Sequence, residues 1–466
     1  MSFDLQALVD QTAEHSYDLA AAHVNPAMMK VLKVLGFDVR YTRGQGAYLY
    51  DAKGTQYLDC LSGFGTFGLG RNHPTVREAL KQAMDMDLPN LPKFGIPRFS
   101  GLLAQKLIEV APPGLDRVYF CNSGAEGVET AIKYARAATG RQRIVYCNKG
   151  YHGLTMGALS VMGAGEFREG FGTLLDNCTA VQFDDLAALE SELARKDVAA
   201  FIVEPIQGKG VNVPGDAYLP GAAALCREHG AVFIADEVQT GLGRTGKMFA
   251  VEHWGVEPDI RVTVKTLSVG FVPVAAVLSR RWIHEKVFSS LDRCMVHSTT
   301  FGQNDMAMIA GLASLHVLLE EKLVENAADV GEYLIGRLRT LVDKYEMVRQ
   351  VRGKGVMIAI EFGPPRSMKL KMGWSLLHKM DQGLFPQAIL IPLFTDHHIL
   401  AQVAGHHLDV IKLIPPLVIT RADADRIADA FDVVTAACHK FPGPLWEVGK
   451  RLTSQAIRPR NAPAAT

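Results

Sequence analysis

The sequence carries no excess of charge of either sign. Lysine plus arginine equals aspartate plus glutamate, 49 each. That balance gives no electrostatic case for nucleic acid or an anionic membrane as a partner. It also lacks any C-x-x-C pair, and its seven cysteines are scattered from Cys60 to Cys438. An odd, dispersed set reads as reduced thiols of a cytoplasmic protein, not as a disulfide frame or a zinc site. Long apolar runs are missing too. The longest stretch, "LFPQAILIPLF", is short and twice broken by proline, so no membrane span is expected. The opening "MSFDLQALVDQTAEH" is acidic and has no basic segment before an apolar one, so no signal peptide is expected. No repeat or low-complexity segment precedes the tail.

What is present is enough apolar material for more than one compact unit: 466 residues, 48% of them hydrophobic. The middle of the chain alternates short apolar runs with helical patterns. "RVYFC" leads into "AEGVETAIKYARAATGR", and "RIVYC", "AAFIV", "AVFIA", "RVTVK" and "PVAAVLS" follow at intervals. This rhythm predicts an α/β fold with a mainly parallel sheet flanked by helices, its strands apolar on both faces. Outside about 75–330 the rhythm changes. "GAYLYDAKGTQYLDC" reads as a hairpin turning at Lys53-Gly54, and two long helices and the strand "GVMIAIEF" follow residue 330. The expected division is therefore 1–75 as part of a small α+β domain, 76–329 as the large domain, 330–445 as the rest of the small one, and 446–466 as a flexible tail.

In such a sheet, ligands collect beyond the carboxyl ends of the strands. Three predicted strands finish on a charged residue: Glu204, Asp236 and Lys265. A fourth ends at Ser123-Gly124-Ala125, where Ser123 and Glu126 have capping-box spacing and open a helix. A helix start binds phosphate. Each feature alone has a bland structural reading, as a strand-end ion pair, a snorkelling lysine or an ordinary cap. Together they put two acids, a lysine and a phosphate-type helix start on one sheet edge. A desolvated lysine is a nucleophile of the kind that forms Schiff bases. With an acid for a pyridinium nitrogen, that is a pyridoxal phosphate (PLP) arrangement.

At this point the chain resembles the class III, or ω-type, aminotransferases of PLP fold type I. The resemblance covers about residues 25–440. It rests on "CNSGAEGVETAIKYAR", "GYHG", "FIVEPIQGKGV", "LCREHGAVFIADEVQTGLGRTGKMFA", "PDIRVTVK", "HSTTFGQN", "VRGKGVMIAIEF" and "LIPPL" in order. Putrescine-type members look nearest. The resemblance implies that Lys265 attaches the cofactor and moves the substrate proton, and that Asp236 keeps the pyridine nitrogen protonated. It implies that Gln239 meets the ring hydroxyl, that Val238 and Tyr151 flank the ring, and that His152 sits beside Tyr151. Ser123, Gly124 and Ala125 are implied at the phosphate, and Glu204 near the substrate or the Asp236 network. Thr300 is implied to reach the phosphate of a neighbouring subunit, which makes a homodimer the minimal active unit. The implied reaction moves an amino group from a primary amine (diamine, ω-amino or apolar amine) to a 2-oxo acid or other carbonyl acceptor. Aminomutases, decarboxylating dialkylglycine-type enzymes and epimerases share the scaffold and remain open.

Two departures stand out. Where the family usually has a glycine pair after the lysine, this chain has Ser268-Val269 before Gly270. Where many members carry a carboxylate-clamping arginine, it has Lys412, and lysine lacks the planar fork. The sharper expectation there is weaker recognition of 2-oxo acids. Two patterns are set aside. "GLGRTG" at 241–246 matches G-x-G-x-x-G but neither directly follows a strand nor opens a long helix, so no dinucleotide site is expected. The pairs His397-His398 and His406-His407 lack metal-ligand spacing and read as solvated loop histidines.

Overall fold

The computed structural model of the chain describes residues 3–91, 94–380 and 383–440. Its centre is a seven-stranded sheet. The strands are β1 (Arg117–Cys121), β2 (Arg143–Cys147), β3 (Cys178–Val181), β4 (Val198–Val203), β5 (Val232–Asp236), β6 (Ile260–Thr263) and β7 (Ala275–Ser279), in the order β1-β7-β6-β5-β4-β2-β3. The pairs β3·β2, β2·β4, β4·β5 and β5·β6 are parallel. Strand β7 runs antiparallel to both of its neighbours, β1 and β6. The sheet is thus mainly parallel, with one reversed strand that the apolar "PVAAVLS" pattern does not distinguish.

Alternation along the strands divides two cores, since successive side chains point to opposite faces. Phe201, Val203, Phe233 and Ala235 face one cluster, while Ile202 and Ile234 face the other. Both faces are covered, which is why these strands read as continuous apolar runs.

Two four-stranded sheets accompany the large one. One starts with Tyr41–Gln45, paired antiparallel to the hairpin Tyr48–Asp51 and Gln56–Asp59, which turns where Asp51 accepts from the backbone N–H groups of Lys53 and Thr55. Its last strand, Ile399–Leu400, comes from the other end of the chain and pairs parallel with Leu58 and Asp59. The other sheet is antiparallel and carries Val348–Lys354, Met357–Phe362, Val410–Leu413 and Gln402–Val403. Chain segments from both ends therefore share structure. The expected boundary at 329/330 falls inside the continuous helix Leu323–Lys344. The expected tail, 446–466, lies outside the described residues. Among the described residues, no helix is long and apolar enough to cross a membrane.

Candidate active site

Adjacent strands β4, β5 and β6 end side by side and deliver Glu204, Asp236 and Lys265 to one edge. Because β7 reverses direction between β6 and β1, β1 ends at that edge as well. There the helix Gly124–Thr139 begins, capped by Ser123, whose hydroxyl accepts from the Glu126 N–H at 3.2 Å. The expected capping box is incomplete. The Glu126 carboxylate turns instead to Asn122, accepting from its backbone N–H at 3.0 Å and its side-chain amide at 2.9 Å. The N–H groups of Gly124 and Ala125 are the first of the helix, which intrahelical bonds leave unsatisfied.

These elements enclose a cavity of about 920 Å³. Gly124, Ala125, Tyr151 and His152 form part of its wall. Glu204, Asp236, Val238, Gln239 and Lys265 form another part. Ser123, expected at the phosphate, and Thr300, expected to serve a neighbouring subunit, are not among its lining residues. Ser123 is committed to its cap, and Thr300 is exposed, away from the cavity of its own chain.

Asp236 is 3% exposed. Its Oδ2 pairs with His152 Nδ1 at 2.7 Å, and its Oδ1 accepts from the Val238 N–H at 3.0 Å. Burial alone would lower the His152 pKa, but the hydrogen bond and charge of Asp236 outweigh it and the net shift is upward. Glu204 accepts from the N–H groups of Tyr151 at 2.8 Å and Gly208 at 2.7 Å. Burial pushes its carboxyl up; the His152 charge opposes this.

Lys265 follows β6 in a short 3₁₀ turn, Lys265–Leu267, and has φ +37°. Burial lowers its pKa to about 8, partly offset by Asp236 and Glu204. Of the two residues replacing the expected glycines, Ser268 is right-handed at φ −118° and only Val269 is left-handed, at φ +52°, followed by the remaining glycine, Gly270, at φ +76°. Positive φ is costly for a β-branched residue. The conformation is held by the segment 63–70. A Cβ at Gly68 would sit 2.4 Å from Thr266, and one at Gly270 would sit 2.5 Å from Phe67, so both contacts need glycine.

Lys412 is a second lysine in the wall, 6% exposed. Burial first, and the Lys265 charge second, lower its pKa to about 7. Gln239 bridges the site, donating to the Phe64 carbonyl at 2.9 Å and accepting from Lys412 Nζ at 3.2 Å.

Several wall residues were not anticipated as site residues, among them Phe64, Phe167, Lys209, Gln387 and Gln402. The histidine pairs need correction. His406 and His407 are exposed but line the cavity mouth, where His406 Nδ1 lies 3.3 Å from Glu166 and its ring meets Phe167 edge-on at 5.5 Å. His397 and His398 are half-buried rather than solvated, and the His398 ring meets Tyr57. In "GLGRTG", Arg244 is buried at 1% exposure and donates to the Pro415 carbonyl. The segment follows turns and opens no long helix.

This set of groups fits PLP by its chemistry. A buried acid backed by a histidine suits a ring nitrogen, unsatisfied helix N–H groups suit a phosphate, and a lysine with a depressed pKa suits a carbonyl. His152 Nε2, moreover, is buried without a protein partner among the described residues.

Comparison with known proteins agrees. The family "Aminotransferase class-III" matches residues 32–434. Aminotransferase PigE of Serratia sp. is 35% identical over 457 residues, covering 91% of this chain and 54% of PigE. The chain thus spans about half the length of that relative. Putrescine aminotransferase of Pectobacterium atrosepticum is 37% identical over 431 residues, covering 88% of this chain and 86% of that protein. The PLP-bound amine transaminase of an uncultivated Pseudomonas species superposes with a TM-score of 0.75 at 31% identity, covering 86% of this chain and 95% of that one. The chain is a member of the class-III aminotransferase family, a family of PLP-dependent enzymes of fold type I.

Proposed function

We propose that this chain is a PLP-dependent aminotransferase. It takes the amino group of a primary amine (diamine, ω-amino or apolar) and passes it to a 2-oxo acid or other carbonyl acceptor, in two half-reactions at one site. The observation that carries this reading is the meeting of Lys265 with Asp236 at neighbouring strand ends in one cavity.

When bound, PLP supplies an electron sink that makes the substrate C–H beside nitrogen acidic. The chain supplies the rest. Lys265 Nζ, neutral above about pH 8, is the base that removes that proton and returns it. The Asp236 carboxylate, held by His152 and the Val238 N–H, keeps a proton on the ring nitrogen. Val238 and Tyr151 fix the ring plane, and Gln239 retains one amide N–H for the ring hydroxyl. Gly124 and Ala125 hold the phosphate through backbone N–H groups, with Ser123 fixing the start of their helix.

A homodimer is part of the reading. Thr300 serves the partner's phosphate rather than its own, in keeping with its exposed position. Phe94, Ile96, Leu291 and Phe301 expose apolar surface that a second copy would cover.

The test is a screen of amine donors against pyruvate and 2-oxoglutarate. A carbonyl product from the donor and an amino acid from the acceptor are expected. Loss of carbon dioxide from the substrate, or an amino group relocated within one molecule, would replace this reading by another PLP reaction.

A further inference from the structure

Glu129 has no part in the roles above, yet it ties two of them together. It lies on the helix Gly124–Thr139, one turn past Ala125. Its Oε1 accepts from three donors of a second segment. These are the Thr155 hydroxyl at 2.6 Å, the Gly157 N–H at 2.8 Å and the Ala158 N–H at 3.2 Å. The two N–H groups open the short helix Met156–Ser160, whose own N-cap residue, Thr155, makes no side-chain cap. Such groups have no intrahelical partner, and a carboxylate suits them.

Two glycines show how closely the segments run. A Cβ at Gly153 would sit 2.7 Å from the Ala125 Cβ, and one at Gly157 would sit 2.1 Å from Glu129 Oε2. The paired positions advance together, from 125 to 129 on one side and from 153 to 157 on the other.

The second segment carries one wall of the ring site. Tyr151 and His152 open it, held through the Tyr151 N–H by Glu204 and through the His152 ring by Asp236. Leu159, in the short helix, belongs with Met162 and Ala164 to the buried cluster against which Tyr151 packs. Glu204 and Asp236 thus tie the segment to the sheet. Glu129 ties it to the helix that starts at Gly124.

We propose that Glu129 is a positioning residue that sets the spacing between the phosphate-binding helix start and the Tyr151 side of the ring site. The inference rests on the aminotransferase reading, in which PLP occupies both places at once. A short link joins the ring of PLP to its phosphate, so the two places must stand at one separation. A ligand that fills only one of them has no such need.

Two ligands of the cofactor-free enzyme test this by calorimetry. Pyridoxamine phosphate spans both places and has no aldehyde for Lys265. Inorganic phosphate fills the helix start alone. Glu129→Ala is expected to weaken pyridoxamine phosphate about tenfold or more, the scale of one hydrogen bond to a charged group. Inorganic phosphate is expected to bind as to the wild type. Glu129→Gln keeps an acceptor oxygen and is expected to restore both the affinity and the visible circular dichroism of the PLP-loaded enzyme. Equal weakening of the two ligands in Glu129→Ala, or no weakening of either, overturns the proposal. So does a Glu129→Gln that behaves like Glu129→Ala. If Glu129→Ala does not fold, Gly157→Ala tests the same contact, because its added methyl displaces the carboxylate. The same split between the ligands supports the proposal, and equal weakening refutes it. A wild type that takes up neither PLP nor pyridoxamine phosphate would instead refute the parent reading.

Discussion

Two strand ends deliver chemistry to the same cavity by opposite means. At the end of β1 the conformation is local. Ser123 is extended at φ −146°, caps the Glu126 N–H, and Gly124 then enters a regular helix. Nothing distant is needed. After β6 the conformation is imposed. Lys265 and Val269 hold left-handed φ values of +37° and +52°, and Val269 is 1% exposed. That turn is fixed by Phe67 against Gly270, by Thr266 against Gly68, and by the Gly68 carbonyl accepting from the Leu417 N–H at 2.7 Å. These partners lie roughly 200 residues upstream and 150 downstream. A backbone of this kind persists only where its surroundings over-determine it. The difference teaches that anion binding can be built from a cap, while a positioned lysine has to be built from the whole fold.

The sharpest way to break the comparison is to remove the imposed residue. Lys265→Ala is expected to cut turnover about 10⁴-fold, the upper end of what a positioned base supplies, while the helix start still binds PLP non-covalently. Stopped-flow absorbance and equilibrium dialysis read the two effects separately. Asp236→Asn is expected to lower kcat about 10²–10³-fold, the scale of removing one preorganised electrostatic group. His152 also loses the partner that raises its pKa, so its titration, followed by NMR, moves down.

A third prediction uses pH. The Lys265 pKa is lowered to about 8, so its amine is neutral and nucleophilic above that value and protonated below it. PLP uptake by the cofactor-free enzyme should therefore accelerate about tenfold from one pH unit below to the plateau above, since one unit is a tenfold change in the neutral fraction. A flat profile between about pH 7 and pH 9 would remove Lys265 from that role.

The smaller effects probe the backbone itself. At Val269, alanine loses two buried carbons, about 1.6 kcal/mol, and glycine three, about 2.4 kcal/mol. Glycine recovers about 1 kcal/mol of backbone strain and alanine does not. Val269→Gly is thus expected to be no more destabilising than Val269→Ala in urea unfolding, whereas in an ordinary extended or helical segment glycine is the worse of the two. At the local end, Ser123→Ala should cost about 1 kcal/mol, as other helix caps do. PLP affinity should change little, because the N–H groups of Gly124 and Ala125 remain.

The contrast also explains what could be read from the sequence. Glu204, Asp236 and Lys265 were legible because each closes an apolar run, and a parallel sheet brings such ends together. Ser123 was legible as a cap, although Glu126 serves Asn122 instead of completing the box. The reversal of β7 was not legible, since a strand buried on both faces has the same composition in either direction. Gln402 was invisible for a different reason. It belongs to a two-residue strand, and only its register with Lys412 brings it to the cavity. Phe167 and Lys209 reach the mouth on irregular segments, for which periodicity gives no signal. The glycine exchange after Lys265 was visible, but its consequence depended on Phe67 and Gly68.

Two lysines with depressed pKa values face one cavity, and the lower value belongs to Lys412, at about 7. Either amine is available as a neutral nucleophile near neutral pH, but Lys412 Nζ is tethered to the Gly208 carbonyl and Gln239 Oε1, while Lys265 stands in the field of Asp236. Borohydride reduction of the PLP-loaded enzyme followed by peptide mapping decides between them. A single pyridoxyl group on the peptide carrying Lys265 is the predicted result; a pyridoxyl group on Lys412, or on any other lysine, would contradict the account.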